Sequence, residues 1–210
     1  GYEGIGPLNW LAFNTKKGPL ADVRVRQAIA YAVDRNFVVK ALHRGYSKIA
    51  TGPIVPSSPF YTADVPKYNI DLKKSAALLD AAGFKPDASG KRFTLTVDYI
   101  PGGEEQQKAV AEYLRPALKK VGIEVDVRAS PDFPTWAKRV SSWDFDMTMD
   151  LVFNWGDPVI GVHRTYLCDN IKQGVIWSNT QQYCNPKVDE ILTKAGEEID
   201  FKKRKALYGE

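Results

Sequence analysis

The sequence predicts an α/β fold with a mostly parallel central sheet flanked by helices. Between residues 93 and 153, three runs of alternating apolar and polar residues have the period of β-strands. Two stretches between these runs carry apolar residues at helical spacing, and Gly122 ends the first of them. Because strand–helix–strand connections place neighbouring strands parallel, this β-α-β-α-β order predicts a parallel sheet.

Composition agrees with a globular protein. Of the 210 residues, 44% are hydrophobic and 26% are charged, which supplies a core and excludes intrinsic disorder. The uncharged apolar runs are shorter than the ~18 residues of a membrane-spanning helix. The net charge is only +4, and the one dense basic run, Lys202–Lys205, is interpreted as a solvated helix face. No nucleic-acid partner is expected.

The first half of the chain predicts one strand and three helical stretches. A short strand covers Leu8 to Asn14, and Asp22 offers an N-cap to the helix that follows. The apolar stripe of this helix is formed by Val25, Ala28, Ile29, Ala32 and Val33. A second helical stretch ends at Gly45, and Asp71 caps a third.

A proline-rich segment, residues 51–66, separates the second and third helical stretches. It predicts an ordered loop and not a linker, because four of its side chains need burial. These are Ile54, Val55, Phe60 and Tyr61.

Ligands of parallel sheets bind beyond the carboxyl ends of the strands. Three segments follow predicted strands at such positions and are candidate binding edges: Pro101–Glu104, Ala129–Phe133 and Asn154–Pro158. The third segment is the richest in side chains that recognise ligands.

The third edge combines an amide, an indole, a flexible glycine and a carboxylate, in Asn154, Trp155, Gly156 and Asp157. An indole packs against an apolar ligand face while its N–H donates a hydrogen bond. The Asp157 carboxylate suits a cation or an ammonium group. The alternative is a plain Gly-Asp-Pro turn with Trp155 in the core.

Motifs for catalysis are missing from the sequence. Neither a nucleophile elbow, nor a phosphate-binding loop, nor a dinucleotide fingerprint occurs. His43 and His163 lie far apart and are interpreted as structural or solvated side chains. Asp144, Asp146 and Asp150 are interpreted as solvated charges on one strand face, with paired catalytic carboxylates as the alternative. No cofactor, metal or enzymatic activity is expected.

The two cysteines, Cys168 and Cys184, flank a loop-like stretch and lack the spacing of a redox or zinc pair. We expect a disulfide, which indicates an exported protein. Two reduced, buried thiols in a cytosolic protein are the alternative.

Four blocks of sequence, in order along nearly the whole chain, carry a family resemblance. They are Leu11–Thr15 with Asp22–Arg35, Tyr68–Asp71 with Ala77–Phe84, Gly156–Pro158, and Tyr183–Asp189 with Lys203–Tyr208. They are similar to blocks of the dipeptide- and oligopeptide-binding family (family 5), the large solute-binding proteins of ABC importers for peptides, nickel chelates and related solutes.

The resemblance implies an exported, two-lobed protein that closes on a small molecule or short peptide and delivers it to ABC permease subunits in the membrane. Residues 1–210 resemble only the C-terminal lobe, a periplasmic-binding-protein-like lobe. The chain is therefore expected to be a fragment of a periplasmic or extracellular protein, without its N-terminal lobe. The alternatives are a stand-alone interaction or chaperone-like lobe and an uncharacterised hydrolase.

One departure from the family pattern concerns the third block. Peptide binders of the family place an acid shortly after a tryptophan there, and that acid holds the ammonium group of the peptide. Here Asn154 or Trp155 stands near that position, and Asp157 matches the Asp-Pro of the family. We expect Asn154, Trp155 and Asp157, and next Asp150, to line the ligand wall, with a neutral, sugar-like or modified amino-acid ligand as an alternative to a free peptide. The arginines of the first block are expected to be structural and paired with acids: Arg24, Arg26 and Arg35.

Overall fold

The computed structural model describes residues 7–102, 105–153 and 155–210. Within them it has four strands: β1 (Leu8–Phe13), β2 (Phe93–Asp98), β3 (Ile123–Arg128) and β4 (Met147–Val152). The helices are α1 (Val23–Ala32), α2 (Arg35–Phe37), α3 (Leu72–Ala81), α4 (Glu105–Lys119), α5 (Phe133–Ser141), α6 (Arg164–Tyr166), α7 (Pro186–Glu197) and α8 (Phe201–Gly209). Wider helical turns at Val38–Leu42 and Val159–His163 extend α2 and precede α6. None of the helices among these residues is long and apolar enough to cross a membrane.

The four strands form one mixed sheet in the order β1-β4-β2-β3. Strand β2 runs parallel to both β3 and β4, so the predicted mostly parallel α/β fold is confirmed. Strand β1 is antiparallel to β4 and forms an edge, with Leu8 opposite Val152. This pairing joins segments far apart in sequence, so local patterns do not predict it.

The main apolar core lies on one face of the sheet. Met147 and Met149 of β4 point to this face, where Leu95 and Val97 of β2 also lie. Helices α1, α3 and α4 cover it, and the predicted stripe of α1 is buried there. Besides Met147 and Val97, the largest fully buried side chains of this core are Leu20, Val25, Ile29, Leu79, Leu114, Leu118 and Ile123.

The opposite face of the sheet is more polar and is covered by α5. The Trp136 indole N–H donates to the Thr148 hydroxyl over 3.0 Å. Beside it, the fully buried carboxylate of Asp98 accepts hydrogen bonds from Arg128 of β3 and Arg139 of α5. These contacts tie α5 to three strands and fix the loop at the end of β3.

Helix caps follow the sequence where it predicts them. The Asp22 carboxylate accepts from the N–H of Arg24 over 2.8 Å, and Asp71 accepts from that of Lys74 over 2.9 Å. Gly45 has a φ of +79°, the left-handed conformation that ends a helical stretch.

The proline-rich loop, residues 51–66, is ordered by burial. Ile54 and Phe60 are buried in a second apolar cluster together with Val162 and Leu192. The predicted burial is confirmed for Ile54 and Phe60, whereas Val55 and Tyr61 are half-buried. The loop packs against α7 and the turn that precedes α6.

The first-block arginines are structural, but not all of them pair with acids. Arg24 forms an ion pair with Asp22 over 2.7 Å. Arg26 donates to the Leu20 carbonyl over 2.7 Å, and Arg35 donates to a main-chain carbonyl, that of Tyr68. The expectation of acidic partners is therefore wrong for Arg26 and Arg35, because carbonyls left free beside α1 and before α3 take their guanidinium groups.

Cys168 and Cys184 form a disulfide, with Cα atoms 4.7 Å apart. The Cys168 N–H donates to the carboxylate of Asp189 in α7, and the Asn179 amide donates to two carbonyls within the closed loop. The predicted bond is confirmed, and it joins this loop to the start of α7.

Reducing this disulfide is expected to lower the free energy of unfolding by about 3 kcal/mol, because the bond restricts a loop of some 16 residues in the unfolded chain. Urea unfolding with and without a phosphine reductant measures the effect. The double variant Cys168→Ser with Cys184→Ser is the control. Its unfolding midpoint should equal that of the reduced protein and should not change when the reductant is added. An unchanged midpoint after two thiols have been titrated would contradict this account.

Candidate functional site

The carboxyl end of β4 projects farther than the end of β2. Met147, the first residue of β4, lies opposite Val97, near the last residue of β2. The segment after β4 therefore stands at the most prominent point of the edge where ligands of parallel sheets bind. At the first predicted edge, residues 101 and 102 are described, and the remaining two lie outside the described residues.

Two aromatic rings occupy this prominent segment. Phe153 and Trp155 stack with ring centroids 5.2 Å apart and an interplanar angle of 23°. Trp155 is 53% exposed, so the alternative that placed its side chain in the core is wrong. Asn154, the residue between these two in the sequence, lies outside the described residues, and its predicted role stays a prediction.

The backbone under the indole is in an uncommon conformation. Trp155 has a φ of +38° and Gly156 one of +91°. A bulky residue in the left-handed region costs on the order of 1 kcal/mol and needs support from its surroundings.

The Asp157 carboxylate is bound within the protein. Arg204 of α8 donates to both of its oxygens over 2.9 Å, and the Val159 N–H donates to Oδ1 over 2.9 Å. Burial raises the pKa of this carboxyl, but the Arg204 and Val159 hydrogen bonds outweigh burial and leave the pKa below its ordinary value. Asp157 thus closes the turn after β4, and a direct role toward a ligand stays a prediction.

Arg204 joins Asp157 to several other segments in a cluster that we call the Arg204 node: Arg204, Asp157, Phe60, His163 and Tyr208. The guanidinium lies 4.8 Å from the centre of the Phe60 ring, and its Nε donates to the Ala195 carbonyl over 2.7 Å. The Tyr208 hydroxyl lies 2.9 Å from His163 Nε2. The node therefore connects the proline-rich loop, the turn after β4, α7 and α8.

The node corrects one sequence interpretation. Lys202 and Lys203 are exposed as expected, but Arg204 of the same basic run turns inward, so the solvated-face interpretation is wrong for this residue. The sequence did contain a signal for this orientation. Arg204 and Tyr208 are four residues apart, so they lie on the same face of the helix. His163 is structural, as interpreted, and His43 contacts the Ser47 hydroxyl over 2.8 Å.

Asp150 lies inside the molecule. It is 5% exposed, sits opposite Trp10 in the β1–β4 pairing, and accepts a hydrogen bond from the Leu151 N–H over 2.7 Å. Burial raises the pKa of its carboxyl to about 7, against the smaller opposing effect of that hydrogen bond. The interpretation as a solvated strand charge is wrong for Asp150, since β4 is covered on both faces.

Asp144 and Asp146 precede β4, so they do not lie on the strand that carries Asp150. The Asp146 carboxylate accepts from the N–H and hydroxyl of Thr96 and forms an ion pair with Lys17 over 3.1 Å. Asp144 is exposed, with its carboxylate 3.8 Å from Arg128. The structure thus separates the three acids, and the paired-carboxylate alternative finds no support in it.

A second aromatic pair, with one exposed and one half-buried ring, lies at the edge after β3. Phe133 is 41% exposed and stacks on Trp177, with centroids 6.2 Å apart and an angle of 26°. Trp177 comes from the disulfide-closed loop. Sequence reasoning named Phe133 within a candidate edge but missed Trp177, because only the fold brings residue 177 there.

A surface cavity of about 190 Å³ lies elsewhere, between the end of α1 and the segment before α3. Two of its charged residues act within the fold. Asp34 caps the first turn of α2, and Arg35 donates to the Tyr68 carbonyl. The segment after β4 thus remains the candidate site.

The family of the chain follows from its sequence. The sequence profile described as "Bacterial extracellular solute-binding proteins, family 5 Middle" matches residues 5–173. The chain belongs to this family. The resemblance carried by the four sequence blocks is therefore confirmed.

Among its family 5 relatives is the dipeptide-binding protein of Escherichia coli (strain K12), 28% identical over 207 residues. The match covers 96% of this chain but only 37% of that protein, so the chain spans little more than a third of its relative.

Solved structures of this class confirm the periplasmic-binding-protein-like fold. The periplasmic binding protein DppA from Helicobacter pylori, in complex with the peptide STSA, has a TM-score of 0.86 at 24% identity, over 98% of this chain and 38% of that one. NikZ from Campylobacter jejuni, in complex with Ni(L-His), has a TM-score of 0.83 at 26% identity, over 98% of this chain and 43% of that one.

Proposed function

We propose that residues 1–210 form the C-terminal lobe of an exported, two-lobed solute-binding protein. The complete protein would capture a short peptide or a related small solute between its lobes and deliver it to an ABC permease. The chain spans 37% of its E. coli relative, which leaves room for an N-terminal lobe. A periplasmic or extracellular location accords with the Cys168–Cys184 disulfide.

The observation that carries this proposal is the exposed Phe153–Trp155 stack at the most prominent end of the sheet, in a family 5 chain. Stacked rings lose accessible apolar area when a ligand and a second lobe cover them, and that loss favours binding. The Phe133–Trp177 pair offers a second surface of the same kind after β3. We propose that the segment after β4 is one wall of the ligand cleft, with Asn154, Trp155 and Asp157 in it and Asp150 beneath it.

The proposal concerns binding without turnover. Exposed aromatic rings bind a solute, and a carboxylate that is already ion-paired supplies neither a nucleophile nor a proton donor. A stand-alone interaction lobe and a hydrolase remain the two alternatives. Both differ from the proposal in a measurable way, since the first needs no small solute and the second consumes one.

A thermal-shift screen of the full-length protein that contains this chain tests the proposal. The panel holds short peptides, opine-like amino-acid conjugates, small sugars and nickel chelates. A bound solute is expected to stabilise the folded state by ~2.7 kcal/mol at a hundredfold excess over its dissociation constant. We expect Trp155→Ala to weaken binding at least tenfold, because it removes the exposed half of the stack.

Tyr46→Ala is the matched control, since Tyr46 is an aromatic side chain, 90% exposed, outside the proposed wall. It should leave the affinity unchanged. Absence of a shift with every class of solute would count against the proposed function. Equal affinities of wild type and Trp155→Ala would show that the segment after β4 does not contribute to solute binding.

A further inference from the structure

We propose that Asp157 is a positioning residue held by Arg204, and that Phe153 and Trp155 present an uncharged aromatic wall to the solute. This inference rests on the proposed function and specifies which chemical part of the solute the wall accepts. The juxtaposition that supports it is a two-pronged ion pair two residues after the exposed indole of Trp155.

The hydrogen bonds of the carboxylate support the first half of the proposal. Asp157 Oδ1 accepts from Arg204 Nη2 and from the Val159 N–H, while Oδ2 accepts from Arg204 Nη1, each over 2.9 Å. Bidentate arginine–carboxylate pairs are among the stronger hydrogen-bonded contacts in proteins. A solute ammonium group would have to displace a planar guanidinium that already neutralises the charge of Asp157.

Arg204 contacts several segments of the protein, and these contacts restrict the movement of its side chain. Its Nε donates to the Ala195 carbonyl over 2.7 Å, and its guanidinium lies over the rings of Phe60 at 4.8 Å and Tyr208 at 5.6 Å. Its side chain is only 17% exposed, against 40% for Asp157. The arginine is thus the fixed partner, and the turn after β4 is attached to it.

The backbone between the rings and the ion pair shows what this attachment does. Trp155 and Gly156 both have positive φ angles, and the uncommon conformation of Trp155 persists only when neighbouring contacts hold it. Asp157 is the next residue, and it is anchored to α8. The ion pair therefore sets the direction in which the Trp155 indole faces.

Asp150, the other acid predicted for the wall, does not supply a negative charge for an ammonium group either. Asp150 is 5% exposed, and within the described part of the chain its carboxylate contacts the Leu151 N–H and not the surface. What the described residues of this segment offer to a solute is then the face of the Phe153–Trp155 stack. Such a surface takes an apolar or planar, uncharged group, for example the side chain of a peptide, and not its amino terminus.

The test compares a free and a blocked amino terminus on the full-length protein. The probes are alanyl-phenylalanine and its N-acetyl form, measured by calorimetry with wild type and Asp157→Asn. We expect Asp157→Asn to weaken both probes by the same factor, about tenfold, so that the ratio of the two dissociation constants changes less than twofold. A loss at least tenfold larger for the free dipeptide than for the acetylated one would overturn the proposal, because it identifies Asp157 as an ammonium anchor.

A second measurement needs no solute. Acrylamide quenching of the Trp155 fluorescence, taken as the difference between wild type and Trp155→Phe, reports how that indole is held. We expect Arg204→Met to raise this quenching at least 1.5-fold and Arg204→Lys, which keeps the charge, to restore part of the wild-type value. Lys203→Met is the matched control on the exposed face of α8 and should change nothing.

Unchanged quenching in a folded Arg204→Met protein would overturn the positioning role, whether or not either dipeptide binds. Absence of binding by every solute class with the quenching result intact would instead count against the proposed function alone. The two failures are therefore distinguishable.

Discussion

Replacing Asp98 by asparagine is expected to lower the free energy of unfolding by about 4 kcal/mol, because it removes the buried counter-charge that two half-buried guanidinium groups share. The Asp98 side chain is completely buried. Its carboxylate accepts from Arg128 over 3.0 and 2.9 Å and from Arg139 over 2.8 Å. An asparagine amide keeps the shape but turns one acceptor into a donor that faces other donors.

Urea unfolding of the chain at pH 7 measures this loss. Asp126→Asn is the matched control, since Asp126 lies on β3 with an exposed side chain and the same change of charge. It should alter the free energy of unfolding by no more than about 0.5 kcal/mol. A loss below about 1 kcal/mol in Asp98→Asn would show that the two arginines find other partners at little cost.

Replacing Asp150 by asparagine is expected to have the opposite effect and to stabilise the chain at pH 8 by as much as about 4 kcal/mol. Burial raises the pKa of this carboxyl to about 7. Between about pH 4 and pH 7, the unfolded chain has released this proton while the folded chain retains it. Stability therefore falls as the pH rises through this window, and asparagine removes the loss while keeping the acceptor for Leu151.

The difference in unfolding free energy between Asp150→Asn and wild type, measured at pH 4, 6 and 8, checks the sign. This difference should be near zero at pH 4 and should increase with pH. At higher pH the folded wild type must either keep Asp150 protonated while the unfolded chain releases the proton, or bury a charged carboxylate. Asp98→Asn provides the contrast, as it should destabilise the chain at pH 6 and at pH 8. A difference for Asp150→Asn that does not vary with pH would contradict the assigned titration.

These two aspartates show where sequence patterns stop being informative. Both lie on predicted strands or their ends, and both point to the face that α5 covers. Alternation of apolar and polar residues predicted the strands, since that signal is carried by neighbouring residues. It could not tell that the Asp98 carboxylate meets two arginines, because they lie 30 and 41 positions away in the sequence. Nor could it tell that the Asp150 carboxylate meets no arginine within the described residues.

The sequence likewise predicted one part of the candidate site and could not predict the other. Its place after β4 followed from strand order and from the family blocks, and the aromatic and acidic residues there could be named from the sequence. The ion pair between Asp157 and Arg204 spans 47 positions, and a run of lysines around the arginine is the ordinary mark of a solvated helix. Only the packing of α8 against the proline-rich loop and the turn after β4 turns that arginine inward.

The strand order also determines when the sheet can form during synthesis of the chain. Strand β4 lies between β1 and β2, yet it is the last of the four to be synthesised. About 140 residues separate the first strand from its partner, which at ordinary translation rates is roughly 10–30 s. Until β4 emerges, β1 has no neighbour and the β2–β3 pair is too small to be stable by itself. The nascent chain thus lacks its complete four-stranded sheet during this interval, and the sheet forms only after β4 has been synthesised.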